Sequence, residues 1–163
     1  MSKRIEVSTI INKPLEIVWD EVKIMENHVN WMQDAANIDF LSENTSGVNT
    51  KMNVLTKVGP IKLNDVITVT RWEEMKSIGV IHEGIVTGEG IFFLNSVDTD
   101  STKFEWVEEL KFPIYLGGPI GEIIGGLLLK QIWKKNLENL KNIIENEKIF
   151  YNPFNLTFSF LFK

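Results

Sequence analysis

The sequence predicts an α+β domain in which a curved, seven-stranded antiparallel sheet wraps around one long C-terminal helix. Two observations favour this fold class. A strand-like segment is followed directly by two short helical segments, and six short β segments separated by turn signals then precede a long amphipathic helix. The connections between the β segments are short, which favours an antiparallel meander because parallel neighbours need long crossovers.

The first strand is predicted over residues 4–11, where polar and apolar residues alternate. Asn12 is placed to cap a first helix from Pro14 to Val22, and a second short helix follows over about 25–33. The later strands end at clusters of turn-forming or charged residues. They are predicted near residues 37–43, 50–58, 61–72, 77–86, 89–98 and 102–112.

The last helix is predicted from about Pro119 to Glu145. Its apolar residues recur at spacings of three and four, while most of its charged residues fall on the opposite side. A helix with one apolar stripe must bury it, so we expect it to lie across the concave face of the sheet and to leave a cavity there. The stripe consists of Leu129, Trp133, Leu137, Leu140 and Ile144.

The apolar stretch that opens this helix contains Gly117, Gly121 and Gly125 at four-residue spacing. Glycine weakens a helix, so this spacing predicts either a hinged lid over a pocket or close packing of helix on sheet. From Phe112 to Leu129 the sequence is almost uncharged, but a Gly-Gly-Pro break and a carboxylate interrupt it. We therefore expect no stable membrane insertion.

Composition narrows the classes of partner and cofactor. The 163 residues suit one domain with a real core, and a net charge of −5 without a long block of one sign argues against a nucleic-acid partner. The absence of cysteine excludes disulfides and thiolate metal sites, and the two histidines lack metal-ligand spacing. With no phosphate-binding glycine loop either, no metal or other cofactor is expected. The amino terminus enters the strand pattern without an apolar leader, which predicts a cytoplasmic location.

Several segments resemble the START-like proteins, also called SRPBCC or helix-grip proteins. The resemblance covers about residues 3–145 and is nearest to the polyketide cyclase/dehydrase-like and lipid-transfer-like branches. It implies a hydrophobic pocket and a lipophilic small molecule that is bound, carried or acted upon, but it supplies no catalytic residues. It rests on the strand Ile5–Ser8, the proline-started helix with Val-Trp in Ile11–Trp19, Trp31, Thr102–Trp106 and Leu137–Glu145.

The last predicted strand supplies the first candidate for chemistry. Alternation places Glu108 on the same face as its apolar residues Phe104, Trp106, Leu110 and Phe112. An unpaired carboxyl group that faces an apolar interior has a raised pKa, which suits general acid or base catalysis. The alternatives are a salt bridge between Glu108 and Arg71, or a position near the mouth of the pocket where water reaches the carboxylate.

His82 and Glu83 are the other candidates. Neighbours in a strand point to opposite faces, so at most one of them enters the cavity and could act with Glu108. A strand histidine that is satisfied by a neighbour or by solvent remains the alternative for His82. Tyr115, in the loop before the long helix, could place its hydroxyl group at the pocket mouth. The expected ligand-binding residues are Arg71, Phe92, Phe104, Trp106, Leu110, Tyr115, Gly121, Gly125, Leu129 and Trp133.

The tail, residues 148–163, follows a START-like ligand-binding domain that is expected over 1–147. Its large apolar residues alternate strictly, as in a strand: Phe154, Leu156, Phe158, Phe160 and Phe162. An exposed strand of this kind aggregates unless it is paired, so we expect it to dock on its own sheet, on a partner, or on another protomer in a homo-oligomer. An incidental apolar extension is the alternative.

The sequence therefore favours the binding or carriage of a hydrophobic small molecule, such as a lipid, a polyketide or an isoprenoid-like compound. A cyclase or dehydratase-like enzyme that uses Glu108 with His82 or Glu83 as acid and base is the alternative, and a protein-interaction module based on the tail is a weaker one.

Overall fold

The computed structural model describes the backbone of residues 3–113 and 118–146, and the side chains of the last helix from Gly125 onward. Tyr115 and the tail 148–163 lie outside the described residues, so the expectations for them and for the domain boundary at 147 stay predictions. The elements are β1 (Lys3–Ile11), α1 (Leu15–Val22), a 3-10 turn (Met25–Asn27), α2 (His28–Trp31), β2 (Ala35–Phe40), β3 (Lys51–Val58), β4 (Ile61–Glu73), β5 (Ser77–Glu83), β6 (Thr87–Asp98), β7 (Ser101–Lys111) and α3 (Gly118–Asn146).

The strands of this described region form one seven-stranded sheet in the order β1-β7-β6-β5-β4-β3-β2. Every neighbouring pair is antiparallel. The strands from β2 to β7 form a meander, as their short connections predict, and β1 joins it at the edge of β7. The predicted α+β fold class, with two short helices after the first strand and a long C-terminal helix, is confirmed.

The helix α1 begins at Leu15, one residue later than the sequence predicts. The carbonyl oxygen of Pro14 accepts the first helical hydrogen bond, from the N–H of Ile17 at 3.1 Å, and no side chain caps the helix. The prediction that Asn12 caps α1 is therefore wrong. The backbone N–H of Asn12 instead donates to Oε1 of Glu145 in α3, at 2.7 Å. This contact ties the end of β1 to the end of the long helix.

The core lies between α3 and the concave face of the sheet. Four members of the predicted stripe are buried, namely Trp133, Leu137, Leu140 and Ile144, and Leu129 is half-buried. Toward the start of the helix, Leu127 is 63% exposed and Leu128 is 50% exposed. Among the described side chains of α3, the large buried apolar residues therefore lie from Trp133 onward. Within the described residues, no helix has a stretch of the length and hydropathy that a membrane crossing needs.

A buried amide joins α3 to the chain just before β2. Nδ2 of Asn136 donates to Oδ1 of Asp34 at 2.6 Å, and Oδ1 of Asn136 accepts from the backbone N–H of Gln33 at 3.0 Å. Asn136 has no exposed surface, so these groups have no access to water as a replacement partner. The amide therefore fixes the position of the helix against the second short helical segment.

We expect Asn136→Ala to lower the free energy of unfolding by about 2 to 3 kcal/mol, because it removes a partner from a buried carboxyl group and from a backbone N–H. Urea denaturation followed by tryptophan fluorescence measures the change. The matched control is Asn142→Ala on the exposed side of the same helix. Equal denaturation midpoints for the two variants would contradict this assignment.

Candidate functional site

A cavity of about 280 Å³ lies between the first half of the described α3 side chains, the segment from α2 to β2, and the concave face of the sheet. Its walls are mostly aliphatic and aromatic, because the inward-facing positions of β3 to β7 carry such residues. Of the expected ligand-binding residues, those that line the cavity are Phe92, Trp106, Leu110, Gly125, Leu129 and Trp133.

The other expected ligand-binding residues do not line the cavity or cannot be placed. Phe104 is fully buried behind the wall, where its ring packs on Trp31 and Phe92. Arg71 is exposed on the outer face of the sheet and bonds to Glu73, so the alternative of a salt bridge between Arg71 and Glu108 is excluded. A bulge in the β4–β5 pairing lies beside Arg71. Gly121 lies in the part of α3 for which only the backbone is described.

His82 and Glu108 meet inside the cavity. Nε2 of His82 lies 3.1 Å from Oε2 of Glu108, and Oε1 of Glu108 accepts a hydrogen bond from Nε1 of Trp106 at 2.8 Å. Glu108 is 4% exposed, so the alternative of a water-exposed position at the mouth is excluded. Glu83 points to the outer face, where Oγ1 of Thr68 lies 3.4 Å from its carboxylate. His82 is therefore the member of the 82–83 pair that enters the cavity.

The imidazole of His82 has its pKa set by opposing effects. Burial lowers the pKa of this group, but the charge of Glu108, the polar contact with Glu108 and the charge of Asp65 together raise it above the ordinary value of 6.5. The charged form of His82 is therefore favoured more strongly than in an isolated imidazole. Such a pair can donate a proton from the imidazolium and accept one at the carboxylate, which are the two halves of acid–base chemistry.

Two glycines make room for the carboxylates of this site. Gly90 is paired with Glu108 across β6 and β7, and a Cβ atom at Gly90 would lie only 2.6 Å from Cδ of Glu108. Without a side chain on Gly90, the carboxylate can extend over β6 to reach His82 on β5. In the same way, a Cβ atom at Gly84 would lie 2.7 Å from Cγ of Asp65, whose Oδ1 accepts the backbone N–H of Ile85 at 2.7 Å.

A second carboxyl group lies on the helix side of the cavity. Burial raises the pKa of Asp34, hydrogen bonds from Asn136 and Trp133 act against this shift, and the charge of Glu108 adds to it. Trp133 stacks on Trp106 with ring centroids 4.7 Å apart and an interplanar angle of 21°. Within this stacked pair, Nε1 of Trp106 donates to Glu108, and Trp133 lowers the pKa of Asp34.

His28 also lies in the cavity wall, but its pKa is shifted in the opposite direction to that of His82. Burial lowers the pKa of His28 to about 4, against a smaller effect of its hydrogen bond with the carbonyl oxygen of Val22. Nε2 of His28 donates to this oxygen at 2.8 Å, and the ring packs on Trp31 and Phe92. Near neutral pH His28 is therefore an uncharged part of the wall.

Sequence reasoning does not find Asp34, Asp65, His28, Asn136 or Gly90. Only Asp65 has a signal, because it alternates with Leu63 and Ile67, which also line the cavity. Among the residues whose side chains are described, no group of three His, Cys, Asp or Glu side chains could hold a metal ion.

Comparison with known proteins identifies the fold. No protein-family model matches the sequence, and no curated protein matches it significantly. Solved structures do match along most of their length. A protein from Thermus thermophilus superposes with a TM-score of 0.73 at 16% identity, over 87% of this chain and 97% of that one.

The ZhuI aromatase/cyclase from Streptomyces sp. R1128 superposes with a TM-score of 0.75 at 11% identity, over 89% of this chain and 94% of that one. A conserved protein from Geobacillus kaustophilus gives 0.71 at 15% identity, over 87% and 95% of the two chains. Identities this low establish the fold and leave the activity open. The chain has the helix-grip fold, as its resemblance to START-like proteins implies.

The titration of His28 predicts a loss of stability in acid. Its folded-state pKa of about 4 lies below the ordinary 6.5, so the unfolded chain binds the proton first and stability falls as the pH drops from 6.5 toward 4. At about pH 4.5 this effect lowers the free energy of unfolding by about 2 to 3 kcal/mol relative to pH 7.

Urea denaturation of the wild type and of His28→Phe at both pH values isolates this effect, because the variant keeps an aromatic ring but cannot titrate. We expect the difference between the two pH values to be smaller in the variant by that amount. The same difference in both proteins would contradict the assignment of a neutral, buried His28.

Proposed function

We propose that this protein binds a small, mainly apolar molecule in the cavity between the sheet and α3. The observation that supports this most directly is a mostly apolar cavity of about 280 Å³ with a few polar groups in its wall. Ligand sites have this composition, in which apolar walls supply most of the affinity and a few polar groups fix the orientation. A protein that needed only a stable core would fill this volume, because cavities are destabilising.

The attachment of α3 beside the cavity also fits binding. The second half of α3 is held by buried apolar contacts and by the bond between Asn136 and Asp34, while Leu127 and Leu128 near its start are exposed. The helix is thus anchored beside the cavity. The binding or carriage of a lipid, a polyketide or an isoprenoid-like compound remains the best function for this geometry.

Filling the cavity should abolish binding. Ile67 lines the cavity and its neighbour Val66 faces outward on the same strand, so Ile67→Trp and Val66→Trp form a matched pair. We expect Ile67→Trp to weaken binding of the neutral fluorescent probe N-phenyl-1-naphthylamine by at least about tenfold, because the indole occupies the ligand volume.

Val66→Trp should bind the probe as the wild type does, and circular dichroism shows whether both variants fold. Mass spectrometry of organic extracts then identifies any natural ligand, which should accompany the wild type and Val66→Trp but not Ile67→Trp. Failure of the folded wild type to bind the probe would refute the proposal.

A second candidate is a cyclase or dehydratase-like enzyme, which the pairing of His82 with Glu108 inside the cavity favours. His82 would protonate an oxygen of the substrate, and Glu108 would accept a proton from carbon or oxygen. The fold is shared with an aromatase/cyclase, which is consistent with this chemistry but does not establish it.

The two candidates differ in the mass of the bound compound. If the protein is a dehydratase-like enzyme, Glu108→Gln should retain substrate that is heavier by one water than the compound extracted from the wild type, because the base is missing. A carrier should yield the same compound from both proteins. Glu109 is exposed on the same strand, so Glu109→Gln serves as the control. Identical masses of the compounds extracted from the wild type and the two variants would exclude a dehydration that depends on Glu108.

A further inference from the structure

Two buried polar atoms of the cavity lack a well-formed hydrogen bond. Nε2 of His82 and Oε2 of Glu108 lie 3.1 Å apart, within ion-pair distance, yet they are not aligned as donor and acceptor and neither has another partner among the described residues. Buried polar atoms are nearly always satisfied, so this pair requires an explanation. A ligand group that bonds to both atoms would supply the missing partner.

The charges that face the cavity restrict this group. Three carboxyl groups line it, from Asp34, Asp65 and Glu108, whereas none of the described lining residues is a lysine or an arginine. His82 is already compensated by Glu108, and His28 is uncharged near neutral pH. No positive charge in the described wall is therefore available for an anionic ligand.

The ability to donate and to accept hydrogen bonds distinguishes the ligand groups that could lie beside this pair. A carbonyl oxygen can accept from Nε2 of His82 but cannot donate to Oε2 of Glu108, and an ammonium group can donate to the carboxylate but cannot accept. A carboxylate accepts from the imidazole but repels the charge of Glu108. A hydroxyl group both accepts and donates, so a single hydroxyl oxygen beside the pair satisfies both atoms.

We propose that the ligand of this cavity is an apolar molecule with an uncharged hydroxyl group, which accepts a hydrogen bond from His82, donates one to Glu108, and distinguishes this ligand from carboxylic acids of the same shape. This inference rests on the proposed binding function and adds the chemical class of the ligand. It makes Glu108 and His82 the residues that determine specificity.

Three probes with one apolar body test the inference: 2-naphthol, 2-methylnaphthalene and 2-naphthoate, each measured at about pH 7 by displacement of N-phenyl-1-naphthylamine. We expect 2-naphthol to bind at least about tenfold more tightly than 2-naphthoate, and severalfold more tightly than 2-methylnaphthalene. Equal or tighter binding of 2-naphthoate would overturn the inference, and so would equal binding of 2-naphthol and 2-methylnaphthalene. Both results leave the binding function intact, whereas no binding of any probe would overturn both.

Glu108→Gln tests which side chain makes the distinction. Removal of the negative charge should raise the affinity for 2-naphthoate and reduce the ratio between 2-naphthol and 2-naphthoate by at least about fivefold. Glu109→Gln, on the exposed face of the same strand, should leave this ratio unchanged. Binding of N-phenyl-1-naphthylamine shows that each variant keeps its cavity, and an unchanged ratio in a folded Glu108→Gln would refute the role of Glu108. If Glu108→Gln does not fold, the affinities of the three probes for the wild type still test whether the cavity prefers a hydroxyl group.

Discussion

The attachment of α3 through its second half is the constraint on which the cavity depends. Here the apolar stripe is buried, and three polar contacts to the end of β1 and to α2 reinforce it: Glu145 to the backbone of Asn12 at 2.7 Å, Lys141 to the carbonyl of Ile10 at 2.5 Å, and Asn139 to the carbonyl of Trp31 at 3.2 Å. The cavity lies against the preceding turns of the helix, between Gly125 and Trp133.

The polar cluster inside this space depends on the sheet rather than on the helix. Glu108 reaches His82 only because β6, the strand between them, carries Gly90 at the position that the carboxylate crosses. The order of the strands is therefore as important as the two titratable residues. The stacked indoles of Trp106 and Trp133 then connect this cluster to Asp34 on the helix side, so that displacement of α3 would also disturb the environment of Glu108.

The sequence predicts the fold well because the fold depends on local patterns. Alternation in β7 places Glu108 inside, and the helical period places Trp133 and Leu137 in the core, as the structure has them. The contacts that build the site depend on pairing between distant strands, which no local pattern encodes. For this reason the sequence leaves open which face of β5 the side chain of His82 occupies. It also assigns Arg71, which lies beside a bulge, to the wrong face of β4, and it gives no sign of the space above Gly90.

The energetics of the cluster point away from a purely structural role. A buried ion pair contributes little to stability, because the loss of hydration offsets the attraction, and an apolar pair of similar volume would serve the core as well. Here the pair is also incompletely bonded, and it needs a glycine in the middle of a strand, which weakens the sheet. Violations of this kind concentrate where a protein meets its ligand. The same cavity holds one histidine whose pKa is raised and another whose pKa is lowered, because the charges of Glu108 and Asp65 act on His82, whereas burial dominates at His28. The polar groups of Glu108, His82 and Asp65 thus lie together within an otherwise mostly apolar cavity.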